Sequence, residues 1–159
     1  MKLKYTIPQI LLEILGAVII VVFFVLIGIK YPTLPQQIPT HFNGAGEIDA
    51  WGNKSSIWFL LGVGMILYVL LSVVSIFPSA WNFPTSKMTE KNKIPLYQCM
   101  KTFLIATKIE MLAVFFYISI FTINGTGLSE MFIFVFFAIL IGTGLLFWQV
   151  GRSIIKKYV

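Results

Sequence analysis

The sequence predicts an all-α membrane protein, a four-helix transmembrane bundle with a structured loop between the first and second helices. Three observations support this fold class: few charged residues, four long apolar segments and an uneven distribution of lysine and arginine. Charged residues make up 11% of the 159-residue chain, whereas soluble domains average about 25%. Because so little polar surface cannot cover a water-soluble globule, we expect one membrane domain, 1–159.

Four apolar segments are the predicted spans, at about 7–29, 57–77, 102–123 and 131–150. Each has about 20 residues, which at about 1.5 Å per residue crosses a hydrocarbon core of about 30 Å. A transmembrane β-barrel would instead show alternating segments of about ten residues. The first apolar segment is too long for a signal peptide and no small-residue cleavage site follows it, so we expect an uncleaved span.

The basic residues alternate between the two predicted sides of the membrane. They cluster in the N-terminal tail, in the loop between the second and third spans, and at the C-terminus. The first loop is balanced in charge, and the third loop has only Glu130. The positive-inside rule therefore predicts cytoplasmic termini, with the first and third loops outside. The net charge of +6 indicates this topology and contact with anionic lipids rather than with nucleic acid.

The first loop, 32–56, is long for a connection in a compact protein, and such loops are usually functional or disordered. The first span ends before Pro32, because the residue preceding a proline avoids helical geometry. Ser55 or Ser56 is a suitable N-cap for the second helix. The loop contains the only histidine, His41, and two of the six acidic residues, so we expect it to carry the function.

The middle of the loop is predicted to form a strand–turn–strand hairpin. If Gly44–Gly46 is a three-residue turn, Gly46 takes the left-handed position that such turns favour. His41 then faces Asp49, and side chains alternate between the two faces of the hairpin. One face carries His41, Asn43, Glu47 and Asp49, and the other carries Thr40, Phe42, Ile48 and Ala50. This register separates the polar residues from the apolar ones.

The polar face is compatible with several kinds of site. His41, Glu47 and Asp49 are residue types that bind a divalent metal such as zinc, and a carboxylate can orient a histidine for acid–base catalysis. The face could equally recognise a peptide or a lipid headgroup, or it could be structural, with His41 bonded to Asp49 and Lys54 extending to the headgroups. With one histidine and no cysteine cluster, we expect a non-enzymatic ligand-recognising protein without a cofactor.

The loop motif LPxxIPxHFNxxGxxDxWGxK is similar to the signature of the DUF1648 domain, which also begins the SdpI-like (Sdp toxin immunity) membrane proteins. Thr89–Asn92 resembles the turn that precedes the third helix in that family, and the resemblance extends over about 10–120. The matching loop positions are Leu34, Pro35, Ile38, Pro39, His41, Phe42, Asn43, Gly46, Asp49, Trp51, Gly52 and Lys54.

The resemblance implies a small multi-pass protein of the bacterial cytoplasmic (inner) membrane. In the immunity members it further implies sequestration of a secreted toxic peptide and sometimes of a regulator. The longer immunity proteins have two further helices that this sequence lacks. Together, the signature and the polar face give these candidate ligand-binding residues: His41, Asn43, Glu47, Asp49, Trp51 and Lys54.

Three ionisable residues lie within the apolar segments, where they are costly and normally face protein or water. Lys108 and Glu110 point about 200° apart on one helix, so they cannot meet the same neighbour. We expect an interhelical pair between Glu13 and Lys108, and an inward-facing Glu110 near Thr107 and Tyr117. These residues could be structural, or they could form a proton- or cation-coupled site in a small transporter. Four helices bury little surface against one another, so the chain could also form a homodimer.

Overall fold

The computed structural model describes residues 3–78, 81 and 88–158. Four of its helices are long and apolar enough to cross a membrane, which confirms a multi-pass membrane protein. A two-stranded antiparallel sheet, the predicted hairpin, lies between the first two helices. The elements in chain order are α1 (Ile7–Lys30), β1 (Gln37–Phe42), β2 (Ile48–Asn53), α2 (Ile57–Ile76), α3 (Lys93–Asn124) and α4 (Phe132–Lys157), with 3-10 turns at Tyr31–Thr33 and Lys54–Ser56.

The helix ends follow local sequence signals. Pro8 lies in the first turn of α1, where its missing N–H costs nothing. The Asn53 side chain accepts a hydrogen bond from the Ser55 N–H at 2.9 Å and so caps the turn that leads into α2. Gly125 ends α3 in the left-handed conformation, with φ of 66°, which glycine adopts without a steric penalty.

Two helices are longer than the spans predicted from hydropathy. α3 begins at Lys93 rather than near 102, and α4 continues to Lys157 rather than ending at 150. The α3 extension contains two lysines and a glutamine, and the α4 extension contains an arginine and two lysines; these residues are compatible with helical structure although they are less apolar than the spans. Of the residues on which the topology prediction depends, Lys2 and Lys87 lie outside the described part of the chain.

α3 is the central helix, because it packs against each of the other three. The buried face of α1 includes Gln9, Gly16 and Phe23, which recur at every seventh residue, the spacing of left-handed helix packing. No residue of α4 is buried, and its principal partner is α3. The main hydrophobic core lies where the hairpin meets the helices and consists of Phe23, Ile27, Leu34, Ile38, Ile57, Leu61 and Leu112.

Candidate ligand-binding site

The hairpin turn has the predicted three-residue form. The Asn43 N–H donates to the Glu47 carbonyl at 2.9 Å, and the Gly46 N–H donates to the Asn43 carbonyl at 2.9 Å. Gly46 has φ of 83°, the left-handed geometry expected of the last turn residue. Phe42 pairs with Ile48 across the strands, so the register next to the turn is confirmed.

Backbone pairing becomes irregular further from the turn, where His41 pairs with Ala50 rather than with the predicted Asp49. The neighbouring Pro39 has no N–H to donate to the ladder, and proline in a strand is commonly accompanied by a bulge. The side chains nevertheless meet as predicted, because His41 Nδ1 lies 2.6 Å from Asp49 Oδ1. This pair (the hairpin pair) is open to its surroundings, with 67% of the His41 side chain and 41% of the Asp49 side chain exposed.

Asn43 and Glu47 stabilise the turn itself. Asn43 Nδ2 donates to Glu47 Oε2 at 2.9 Å, while Asn43 Oδ1 accepts from the N–H groups of Ala45 and Glu47 at 2.9 and 3.0 Å. The hypothetical metal set of His41, Glu47 and Asp49 is therefore not assembled, because Glu47 is engaged with Asn43 instead. Within residues 3–78, 81 and 88–158, no group of three or more histidine, cysteine or acidic side chains could hold a metal ion.

The tip of the hairpin is clamped against the turn between α3 and α4. The Leu128 N–H donates to the Gly46 carbonyl at 2.7 Å. A Cβ at Gly46 would lie 2.5 Å from the Leu128 carbonyl oxygen, and a Cβ at Gly127 would lie 2.9 Å from the Gly46 carbonyl oxygen. Both glycines are thus needed for the backbones to approach so closely. This contact places the two connections that were predicted to be extracytoplasmic at the same end of the bundle.

A cavity of about 580 Å³ opens between β1 and the adjacent ends of α2, α3 and α4. Its volume is in the range of small-molecule and peptide side-chain pockets. Residues 38–42 of β1 line it, together with Asn43 and Gly46 at the hairpin turn and Leu128 and Ser129 in the turn before α4. The helix ends contribute Ser56, Phe59 and Leu60 from α2 and its preceding turn, Ile118 and Thr122 from α3, and Phe132 and Ile133 from α4.

The structure brings only some of the predicted ligand-binding residues to this cavity. His41 and Asn43 line it, whereas Glu47, Asp49, Trp51 and Lys54 do not. The Trp51 side chain is exposed, and Lys54 Nζ lies 5.0 Å from the centroid of the Tyr31 ring, a cation–π contact. The helix-end residues of the cavity were not predicted. They are apolar residues at the ends of spans, and the sequence does not show whether such a residue lines a cavity or contacts lipid.

In a comparison with protein families, residues 18–65 fit the model of the Domain of unknown function (DUF1648). This segment of the chain is a DUF1648 domain. Six of the seven core residues lie in this segment, all but Leu112. The DUF1648 segment is therefore the hairpin together with the halves of α1 and α2 that support it, and it is shorter than the 10–120 expected. No curated protein and no solved structure matches the chain significantly.

The interhelical pair lies outside the DUF1648 segment and forms as predicted. Lys108 Nζ donates to both carboxylate oxygens of Glu13 at 2.7 Å and to Ser72 Oγ at 2.8 Å. The Tyr68 hydroxyl donates to Glu13 Oε2 at 3.0 Å, and Lys108 Nζ lies 4.4 Å from the centroid of the Tyr68 ring. The network joins α1, α2 and α3. Tyr68 and Ser72 were not predicted, because both residue types are common in membrane helices.

Glu110 lies apart from that network, as the angular separation on α3 requires. It faces α4, where the Thr143 hydroxyl donates to Glu110 Oε1 at 2.5 Å. Tyr117 lines the same cavity as Glu110, which agrees with the predicted inward orientation of the carboxylate. The Thr107 hydroxyl has no hydrogen-bond partner among the described residues, so the expected contact with Glu110 is replaced by the contact with Thr143.

Proposed function

We propose that this protein is a small immunity or signalling protein of the SdpI-like type in the bacterial cytoplasmic membrane, whose hairpin end binds a secreted peptide outside the cell. The observation that carries the proposal is the cavity beneath β1. It combines an apolar floor, formed by helix ends, with polar groups of His41 and Asn43 at its rim. Such a combination is typical of sites that bind a partly apolar ligand in a defined orientation.

A peptide is favoured as the ligand because the cavity follows the edge of a strand. Side chains alternate between the two faces of a strand, so a cavity lined by five consecutive strand residues, 38–42, runs along the strand edge. The described sheet has only two strands, which leaves one edge of β1 without a partner strand. An extended peptide can add to such an edge through main-chain hydrogen bonds, with its side chains in adjacent pockets.

The hairpin pair supplies a polar group to this site. Asp49 engages His41 Nδ1 and so orients the imidazole, which leaves Nε2 available to a ligand. In the SdpI-like interpretation, Nε2 would bond a main-chain or side-chain group of the bound peptide.

The distribution of charge supports an extracytoplasmic hairpin end. Lys4, Lys91 and Lys93 lie at the opposite end of the chain's helices from the hairpin, as do Arg152, Lys156 and Lys157 near the C-terminus. Positive residues are enriched on the cytoplasmic side of membrane proteins. Both termini would then be cytoplasmic, and the cavity would face the compartment through which secreted peptides pass.

Topology is tested first. In a Cys99→Ser background, Ala45→Cys at the exposed turn should react with a membrane-impermeant maleimide in intact cells. Ser153→Cys, near the C-terminal end of α4, should react only after the cells are permeabilised. Labelling of Ser153→Cys but not of Ala45→Cys in intact cells would reverse the orientation and refute the proposal.

Peptide recognition is tested by survival of bacteria that are challenged with the Sdp toxic peptide. Cells that express the chain should survive, and Thr40→Trp, which fills the cavity from β1, should abolish that protection. Gln37→Trp is the matched control, because it adds the same ring to an exposed position of β1 that does not line the cavity. Protection by Thr40→Trp equal to that by Gln37→Trp, with equal membrane insertion, would contradict the role of the cavity.

A further inference from the structure

A second cavity, of about 360 Å³, lies between α3 and α4. It begins near the turn that precedes α4, where Ser129 and Met131 line it, and it ends at Glu110. Glu110 and Tyr117 are separated by about 10 Å along the axis of α3, at about 1.5 Å per residue. The cavity is thus a cleft that leads from the hairpin end of the bundle to a carboxylate at membrane depth.

The Glu110 carboxylate is incompletely satisfied. Its Oε1 accepts a hydrogen bond from Thr143, but its Oε2 is buried and has no hydrogen-bond partner among the described residues. The salt bridges of the described residues do not include Glu110, and the neighbouring Lys108 is engaged with Glu13. A buried carboxylate oxygen without a partner is costly, and ionisable residues at membrane depth commonly mark a ligand or ion path.

Aromatic rings form the walls of the cleft above Glu110. Tyr117 and Phe132 are stacked, with centroids 5.0 Å apart and planes at 6°, and Phe136 continues the series at 6.5 Å from Phe132. All three rings line the cavity. Faces of aromatic rings attract cations, so the walls and the carboxylate favour the same sign of charge in a ligand.

We propose that this cleft binds a lipophilic organic cation, such as a quaternary ammonium or phosphonium with apolar substituents, whose charge is balanced by Glu110. A metal ion fits less well, because calcium and magnesium need six or more oxygen ligands and the cleft offers only a carboxylate and few hydroxyls. A proton alone would not need an apolar space of this size. The cleft shares Ser129 and Phe132 with the cavity beneath β1 but not Glu110, so the proposal does not depend on peptide binding.

Binding is tested with radiolabelled tetraphenylphosphonium and the purified full-length protein in nanodiscs, by equilibrium dialysis. Wild-type protein should bind the probe saturably, and Glu110→Gln should weaken binding by at least about tenfold, the loss that corresponds to about 1.4 kcal/mol. Glu130→Gln is the matched control, because it removes the same charge from an exposed position in the turn next to the cleft. It should bind like wild type. A neutral probe, triphenylphosphine oxide, should not compete.

Loss of folding is separated from loss of the charge by a second variant. Ala113→Phe fills the cleft and leaves the carboxylate in place, so it should also weaken binding by at least about tenfold while the protein stays monodisperse and helical. The proposal is overturned if Glu110→Gln binds the phosphonium like wild type. It is also overturned if Glu110→Gln and Glu130→Gln lose binding equally, or if folded Ala113→Phe retains full binding.

Discussion

Two of the acid–base pairs among the described residues have nearly equal lengths but very different surroundings. The hairpin pair, His41 and Asp49, is 2.6 Å long and its side chains are 67% and 41% exposed. The interhelical pair, Lys108 and Glu13, is 2.7 Å long and its side chains are 0% and 25% exposed. Distance therefore does not distinguish the two pairs; the difference lies in what surrounds each one.

The surroundings decide what each pair can do. The interhelical pair is surrounded by Tyr68 and Ser72, which use the remaining hydrogen-bonding groups and leave Lys108 no access to a ligand. It fastens three helices together. The hairpin pair has no such enclosure, and His41 keeps a ring nitrogen at the rim of a cavity. An exposed pair contributes little stability but remains free to bind a ligand. The interhelical pair is therefore structural, whereas the hairpin pair is a candidate for ligand recognition.

The largest effect is expected from breaking the interhelical pair. Lys108→Met leaves the partly buried Glu13 carboxylate without its cation, so the free energy of unfolding should fall by about 3 kcal/mol, the lower end of the range for buried pairs that lose one partner. The measurement is unfolding by SDS titration in mixed micelles. The double variant Lys108→Met/Glu13→Gln removes the orphaned charge and should recover a substantial part of the loss. Equal destabilisation by the single and double variants would show that lost packing, and not the unpaired charge, accounts for the effect.

A smaller effect is expected from loosening the support of the hairpin pair. Gly46→Ala puts a side chain on a residue with φ of 83° and within 2.5 Å of the Leu128 carbonyl oxygen. The left-handed backbone conformation costs an L-residue about 1–2 kcal/mol. To relieve the clash with Leu128, the hairpin should move away from the turn between α3 and α4. The Leu128 amide should then exchange its hydrogen faster, as measured by mass spectrometry.

Gly44→Ala is the control for that experiment, because a Cβ at Gly44 meets no atom within 4 Å and its φ is not positive. Its Leu128 amide should exchange like that of the wild type. Similar exchange of the Leu128 amide in Gly46→Ala and Gly44→Ala would mean that the contact between Gly46 and Leu128 does not hold the hairpin in place.

The two pairs were predictable for different reasons, and their surroundings were not. His41 and Asp49 are eight residues apart, so turn geometry alone brings them together. Glu13 and Lys108 are far apart in sequence, but few charged residues occur in the spans, and that scarcity limits the possible partners. The contact of Gly46 with Leu128 depends on how two distant loops meet, which no local pattern encodes. The same holds for the two cavities, whose walls are apolar residues within uniformly apolar helices.

An intermediate test sharpens the description of the interhelical network. Tyr68→Phe removes one hydroxyl donor to Glu13 and leaves Lys108 in place, so the free energy of unfolding should fall by about 0.5–1.5 kcal/mol, the net value of one hydrogen bond. Tyr117→Phe is a matched control on α3, because no hydrogen bond of its hydroxyl is seen among the described residues. If the free energy of unfolding falls no more in Tyr68→Phe than in Tyr117→Phe, the Tyr68 hydroxyl does not contribute to the network.

The smallest effect on stability is expected at the hairpin pair itself. In a double-mutant cycle of His41→Gln and Asp49→Asn, the coupling energy should be about 0.2–1 kcal/mol, the range for exposed ion pairs. The same variants should nevertheless reduce protection against the toxic peptide, because His41 lies at the rim of the cavity and Asp49 orients it. A coupling energy above about 3 kcal/mol would instead make the hairpin pair a structural element like its interhelical counterpart. A small coupling energy together with unimpaired protection against the peptide would show that the hairpin pair takes no part in recognition.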